Sequence, residues 1–81
     1  MSRHGTPQTA LIVEDLREAQ TWLLRALTSS FPGVVTHIAD TLAEAQALLA
    51  RSLRPDLVLV DLGLPDGSGS DLIAQIQRAQ P

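Results

Sequence analysis

Residues 57–72 read LVLVDLGLPDGSGSDL. The opening run, Leu57 to Val60, is aliphatic throughout and has no polar face. A run this short and this apolar suits a strand covered on both sides, as in a parallel sheet. It ends on a carboxylate, Asp61, and the glycine-rich loop GLPDGSG (63–69) follows. A helix is expected from about Ser70, with Leu72, Ile73 and Ile76 on one face and Ser68 or Ser70 as its cap.

Working outward, TALIV (9–13) is a second short run of strand formers. EDLREAQTWLLRALTSSF (14–31) carries apolar residues at 16, 19, 23, 26 and 27, with Trp22 beside them, at helical spacing. Pro32 and Gly33 stop that helix. VVTHIAD (34–40) reads as a strand. DTLAEAQALLARSL (40–53) reads as a helix in which Thr41 and Glu44 fit a capping box and Leu42, Ala45, Leu48 and Leu49 form the buried stripe. The order β-α-β-α-β-α predicts an α/β fold: a parallel sheet with helices on both faces and right-handed crossovers. Residues 1–8, MSRHGTPQ, read as a disordered lead-in, and 9–81 as the domain.

The bulk properties narrow the function. Eighty-one residues make one domain at most, and with only Trp22 and Phe31 as aromatics the core must be aliphatic. Six cations, all arginine, stand against nine anions, for a net charge of -3. Without a basic stripe, direct contact with nucleic acid by this segment is not expected. There is no cysteine, hence no disulfide and no thiolate metal site. No apolar run is long enough to span a bilayer and no signal peptide is evident, so the expected location is the cytoplasm, away from membranes.

Sites in open parallel sheets form at the carboxyl ends of the strands. Glu14 and Asp15 end the first strand and Asp61 ends the third. If those strands are neighbours, three carboxylates meet at one rim, where they repel unless a cation joins them. Magnesium, a hard cation that takes oxygen ligands, fits such a set. A carboxylate with a free oxygen there can act as a nucleophile and carry a phosphoryl group as an acyl phosphate.

With the acidic pair ED after LIV, and with LVLVDLGLPDGSG, the chain resembles the receiver domain of bacterial two-component response regulators, over its N-terminal β-α-β-α-β-α portion. The resemblance implies a flavodoxin-like, doubly wound parallel sheet, here with three strands in the order 2-1-3 and three helices. It implies that Asp61 is the phosphoacceptor. Asp15 would bind Mg2+ directly, Glu14 mainly through water, and Asp61 and the Gly63 backbone carbonyl would complete the protein ligands. Pro65 and Gly69 would support the loop. A sensor histidine kinase would be the phosphoryl donor. The output, expected to be transcription through a helix-turn-helix domain, would lie outside this chain, which is not expected to be an enzyme itself.

Two of the family's features are missing. The hydroxyl residue ending strand four and the lysine ending strand five have no counterpart, and the chain contains no lysine at all. In the 2-1-3 order the strand 57–60 is an open edge, which invites pairing. A fragment of a longer receiver, or a homodimer paired or swapped through that edge, is therefore expected.

Other readings stand beside these. A degenerate receiver, not phosphorylated, would serve as an interaction or dimerisation module. A phosphohydrolase with an aspartyl nucleophile would want a second aspartate where Gly63 stands. Asp61 also suits a strand-end turn, and Glu14 and Asp15 a helix N-terminus. Asp66, Gly67 and Ser68 read as turn chemistry, Asp40 and Asp71 as helix-start residues, and Asp56 as a residue leading into a strand. His4 falls in the lead-in and His37 within the second strand, away from the acids. Trp22 is expected to pack on the first helix or lie half-exposed on it. Gly63, with no side chain over the site, predicts easy water access and a short-lived phosphoryl group.

Overall fold

The structure, a computed structural model, describes residues 7–79. The elements are β1 (Thr9–Val13), α1 (Arg17–Ser30), β2 (Val35–Ala39), α2 (Leu42–Ala50), β3 (Leu57–Val60), β4 (Gly63–Leu64), β5 (Gly67–Ser68) and α3 (Gly69–Ala79). The three longer strands form one parallel sheet in the order β2-β1-β3, with Val13 opposite Ala39 on one side and Val60 on the other. This is the expected flavodoxin-like arrangement.

The central strand divides two cores. Ala10, Leu11, Ile12 and Val13 are all fully buried. Because successive residues of a strand face opposite ways, Leu11 and Val13 join Ala39, Leu42, Ala45, Leu64 and Leu72 on the α2–α3 side. Ala10 and Ile12 join Leu27 of α1 on the other side. The continuous apolar run at 10–13 is thus the signature of a strand covered on both faces. β2 is less protected than expected, with Val35 57% exposed, since it forms the other edge of the sheet.

Helix α1 turns a different face inward from the one its apolar spacing predicts. Gln20 and Leu27 are buried and Leu23 is half-buried, whereas Leu16 and Trp22 are 63% and 68% exposed and Ala26 is exposed too. A buried glutamine takes the inward position because its amide is hydrogen-bonded there (below). The buried stripe of α2 is the expected one, with Leu42 and Ala45 buried and Leu48 and Leu49 packed on the core. On α3, Leu72 is fully buried and Ile76 packs against it, but Ile73 is 38% exposed.

The end of α2 is tighter than the pattern predicts. The helix stops at Ala50 instead of reaching Leu53. Ser52 N–H donates to Leu49 O (3.3 Å) and Leu53 N–H to Leu48 O (3.2 Å), which is a Schellman closure. Ser52 takes the left-handed position with φ +86°.

The loop 63–69 is also more ordered than expected. Gly63–Leu64 and Gly67–Ser68 pair as an antiparallel hairpin, turning at Pro65 and Asp66, and α3 starts directly behind it at Gly69. The Ser68 hydroxyl caps α3 by accepting from Ser70 N (3.1 Å).

Residues 1–6, including His4, lie outside the described residues. Gln8, placed in the lead-in by its sequence, is held: its N–H donates to Asp56 Oδ2 (2.8 Å) and its carbonyl accepts from Val35 N (2.9 Å). Thr9 N–H donates to the same Asp56 oxygen (3.1 Å) and Thr9 O accepts from Asp56 N (2.8 Å). Asp56 therefore fastens the entrances of β1 and β3 together, at the end of the sheet opposite the acids.

Candidate metal and phosphoacceptor site

The parallel register brings the acids together. Hydrogen bonding continues one residue past the strands: Glu14 N–H donates to Ala39 O (3.0 Å) and Asp61 N–H to Val13 O (2.9 Å). Glu14 and Asp61 therefore emerge side by side at the carboxyl rim, with Asp15 next to them. One carboxylate oxygen from each of the three lies within 4.8 Å of the others. Glu14 is buried, Asp61 half-buried and Asp15 exposed, so the cluster opens to solvent on the Asp15 side.

The two less exposed acids are oriented by main-chain amides. Glu14 Oε2 accepts from Leu16 N (3.1 Å), the entry to α1. Asp61 Oδ1 accepts from Gly63 N (2.9 Å). Asp61 Oδ2 accepts no hydrogen bond among the described residues. Three convergent carboxylates with no softer donor among them make an all-oxygen site, which fits a hard divalent cation such as magnesium.

Near the acids, Gln20 and Asp66 make bonds that the sequence does not show, and the cap of α2 lies beyond them. The Gln20 amide, 5% exposed, donates both of its N–H groups, to Glu14 O and to Asp40 Oδ1, each at 2.6 Å. Asp40 N–H donates to Glu44 Oε1 (2.6 Å), and Glu44 N–H to Thr41 Oγ1 (3.1 Å). The capping box is present, with the return bond landing one residue early, on Asp40. Asp66 is more than a turn residue. Its Oδ1 accepts from Leu42 N (3.0 Å) and its Oδ2 from Ala43 N (3.1 Å), at the start of α2. These backbone bonds, led by that from Leu42, lower its pKa from the ordinary 3.8 against a smaller opposing effect of burial. A side chain that bonds across tens of residues leaves no periodic mark; the available signals are only a Gln at helical spacing from Leu16, Leu23 and Leu27, and an Asp in a turn.

The remaining candidates stand apart. His37 is half-buried in the middle of β2, opposite Leu11, away from the acids. Pro65 is exposed at the hairpin turn, and Gly69 is buried behind Asp61. An open groove that takes in Glu14 and Asp61 continues past Leu16, Leu23 and Ile73 along the edge of β3 that has no strand partner among the described residues. Among the described residues no helix is long and apolar enough to cross a membrane.

A family model for the response regulator receiver domain matches residues 10–81. The response regulator protein PilR of Pseudomonas aeruginosa is 43% identical over 74 residues, which is 91% of this chain and 16% of that protein. The KDP operon transcriptional regulatory protein KdpE of Escherichia coli is 38% identical over 68 residues, 84% of this chain and 29% of that protein. A protein-glutamate methylesterase/protein-glutamine glutaminase of Anaeromyxobacter dehalogenans is 35% identical over 77 residues, 95% of this chain and 23% of that protein. The chain thus spans less than a third of the length of these relatives. No solved structure matches significantly.

Proposed function

Because the chain belongs to the response regulator receiver domain family, we propose that it accepts a phosphoryl group on Asp61 from a sensor histidine kinase. The observation that carries this reading is the convergence of Glu14, Asp15 and Asp61 at one strand-end rim. Those acids and the Gly63 carbonyl are the groups that would hold magnesium. When bound, magnesium supplies positive charge that offsets the phosphoryl oxygens.

The chain's own residues set up the transfer. Gly63 N–H holds Asp61 Oδ1, which leaves Oδ2 as the attacking atom. As the Oδ2–P bond forms, the P–N bond of the donor phosphohistidine breaks. The bonding pair returns to the imidazole nitrogen, which takes up a proton from solvent. The product is an acyl phosphate on Asp61. Glu14 is buried on one side of Asp61, while the exposed Asp15 and Gly63 leave the other side open to the donor and to water.

In this reading the chain is the signalling part of a longer cytoplasmic regulator, not an enzyme in its own right. The transcriptional regulatory protein KdpE among its relatives favours transcription as the output. The deciding experiment is labelling of the full-length protein by a small acyl phosphate with magnesium present. Label is expected on the wild type and absent from Asp61→Asn; label that persists in the variant rejects Asp61.

A second reading, an interaction module, is favoured by the open edge of β3 and the exposed Leu16 and Ile73 beside it. For the 81-residue chain, pairing of two copies through that edge follows. Light scattering after size exclusion should find a dimer, and a well-folded monomer at high concentration would remove this reading.

A further inference from the structure

The β4–β5 hairpin links two distant points. At one end, Gly63 N–H holds Asp61 Oδ1 (2.9 Å). At the other, the tip residue Asp66 grips the first two amides of α2, Leu42 N (3.0 Å) and Ala43 N (3.1 Å). Amides in a helix's first turn have no partner inside the helix. Thr41 Oγ1 takes the next one, Glu44 N. Helix α2 is thus capped from two sources, one local and one from the hairpin.

Two more contacts fix the hairpin in the same place. Gly67, at φ +150°, lies so close to α2 that a Cβ would stand 2.7 Å from Leu42 Cδ1. Leu64, 6% exposed, packs in the core with Leu42 and Ala45. Leu64 anchors the hairpin by apolar burial, which tolerates sliding. The two-pronged carboxylate bond of Asp66 is directional and sets the hairpin's angle.

We propose that Asp66 is a positioning residue for the carboxylate site: by clamping the start of α2 it fixes the hairpin, and through it the Gly63 amide and carbonyl, against Asp61. The part of this inference that concerns magnesium rests on the function proposed above. The positioning of Gly63 does not.

The test uses the full chain, titrated with magnesium chloride by calorimetry, and hydrogen exchange at the Gly63 amide without metal. Asp66→Ala should weaken magnesium affinity by roughly 10-fold, the scale typical of residues that orient metal ligands. It should also speed exchange at Gly63 while the amides of Ile12 and Val13 stay protected. Thr41→Ala removes the other side-chain cap of the same helix and should leave both readouts unchanged. Asp66→Asn, which keeps one acceptor, should fall between wild type and Asp66→Ala, and serves if the alanine variant does not fold. Equal losses in Thr41→Ala and Asp66→Ala would overturn the proposal, because helix stability alone would then account for them. So would unchanged exchange at Gly63 in Asp66→Ala. Asp15→Asn separates the two ideas. If it leaves magnesium affinity intact, the magnesium reading falls, while faster Gly63 exchange in Asp66→Ala would still uphold the clamp.

Discussion

Gly69 packs against the backbone of Asp61: a methyl group on it would stand 2.5 Å from the Asp61 carbonyl oxygen and 2.9 Å from Val60 Cγ2. Both obstacles belong to the strand end that delivers the proposed nucleophile, and a main-chain carbonyl cannot swing aside as a flexible side-chain tip can. Gly69→Ala is therefore expected to cost about 1–3 kcal/mol of stability, the range for overpacking a close-packed site. It should reduce phosphoryl labelling as well, because relief requires Asp61 to move. Urea unfolding and labelling of the same variant check both, and unaltered labelling would show that the displacement is taken up on the α3 side.

Gly63 offers the opposite case. A Cβ there would meet only Asp61 Oδ1 at 3.9 Å, an ordinary contact. Larger residues should therefore be accepted at this position with little loss of stability. If the missing side chain is what admits water, Gly63→Asn or Gly63→Met should slow loss of the phosphoryl group from the full-length protein. Timed decay of the label measures this, and an unchanged half-life would rule out shielding by that side chain.

The titration of Asp66 gives a pH prediction. Its pKa in the folded chain lies below the ordinary value of 3.8, chiefly because Leu42 N–H favours the carboxylate. Folding therefore favours the ionised form. The stabilisation is fully present above the ordinary value and is lost as pH falls through the lowered one. Urea midpoints of wild type and Asp66→Asn should differ at neutral pH and converge only as pH falls through the lowered value. A gap that persists unchanged in acid would mean that the charge contributes nothing.

Ser52 sits at φ +86°, a conformation that costs most residues with a Cβ roughly 1 kcal/mol relative to glycine. Ser52→Gly should therefore stabilise the chain by up to ~1 kcal/mol, since the Schellman bonds use only main-chain groups. A higher thermal midpoint is the expected result, with magnesium affinity unchanged because α2 ends far from the acids.

Gln20 is expected to matter more than its type suggests. Replacing it with leucine keeps the volume but leaves the Glu14 carbonyl without its donor, at a cost of about 1–3 kcal/mol. Asp40, exposed, recovers its lost bond from water. Chemical denaturation of Gln20→Leu tests this.

What the sequence made legible follows from what is periodic or local. The runs 9–13 and 57–60 announced covered strands because burial on both faces removes every polar residue from them. Thr41 and Glu44 announce the start of α2 because a capping box is complete within four consecutive residues. Glu14, Asp15 and Asp61 could be named because strand ends are where parallel sheets gather their chemistry. Apolar spacing does not reveal the inward face of α1, where Leu16, Trp22 and Ala26 are exposed, since the position that decides it is a glutamine whose partners lie one residue past β1 and β2. The hairpin at 63–68 reads as a loop in the sequence, because two-residue strands have no alternation to read.

The contact between Gly67 and Leu42 also bears on how this region can be rebuilt. A segment transplanted from a relative to replace residues 61–69 would carry its own tip residue and its own bulk to a helix it has never met. Such a graft is expected to succeed only when residues 41–43 travel with it. The loop after Asp61 and the start of the second helix are, for recombination, a single indivisible cassette.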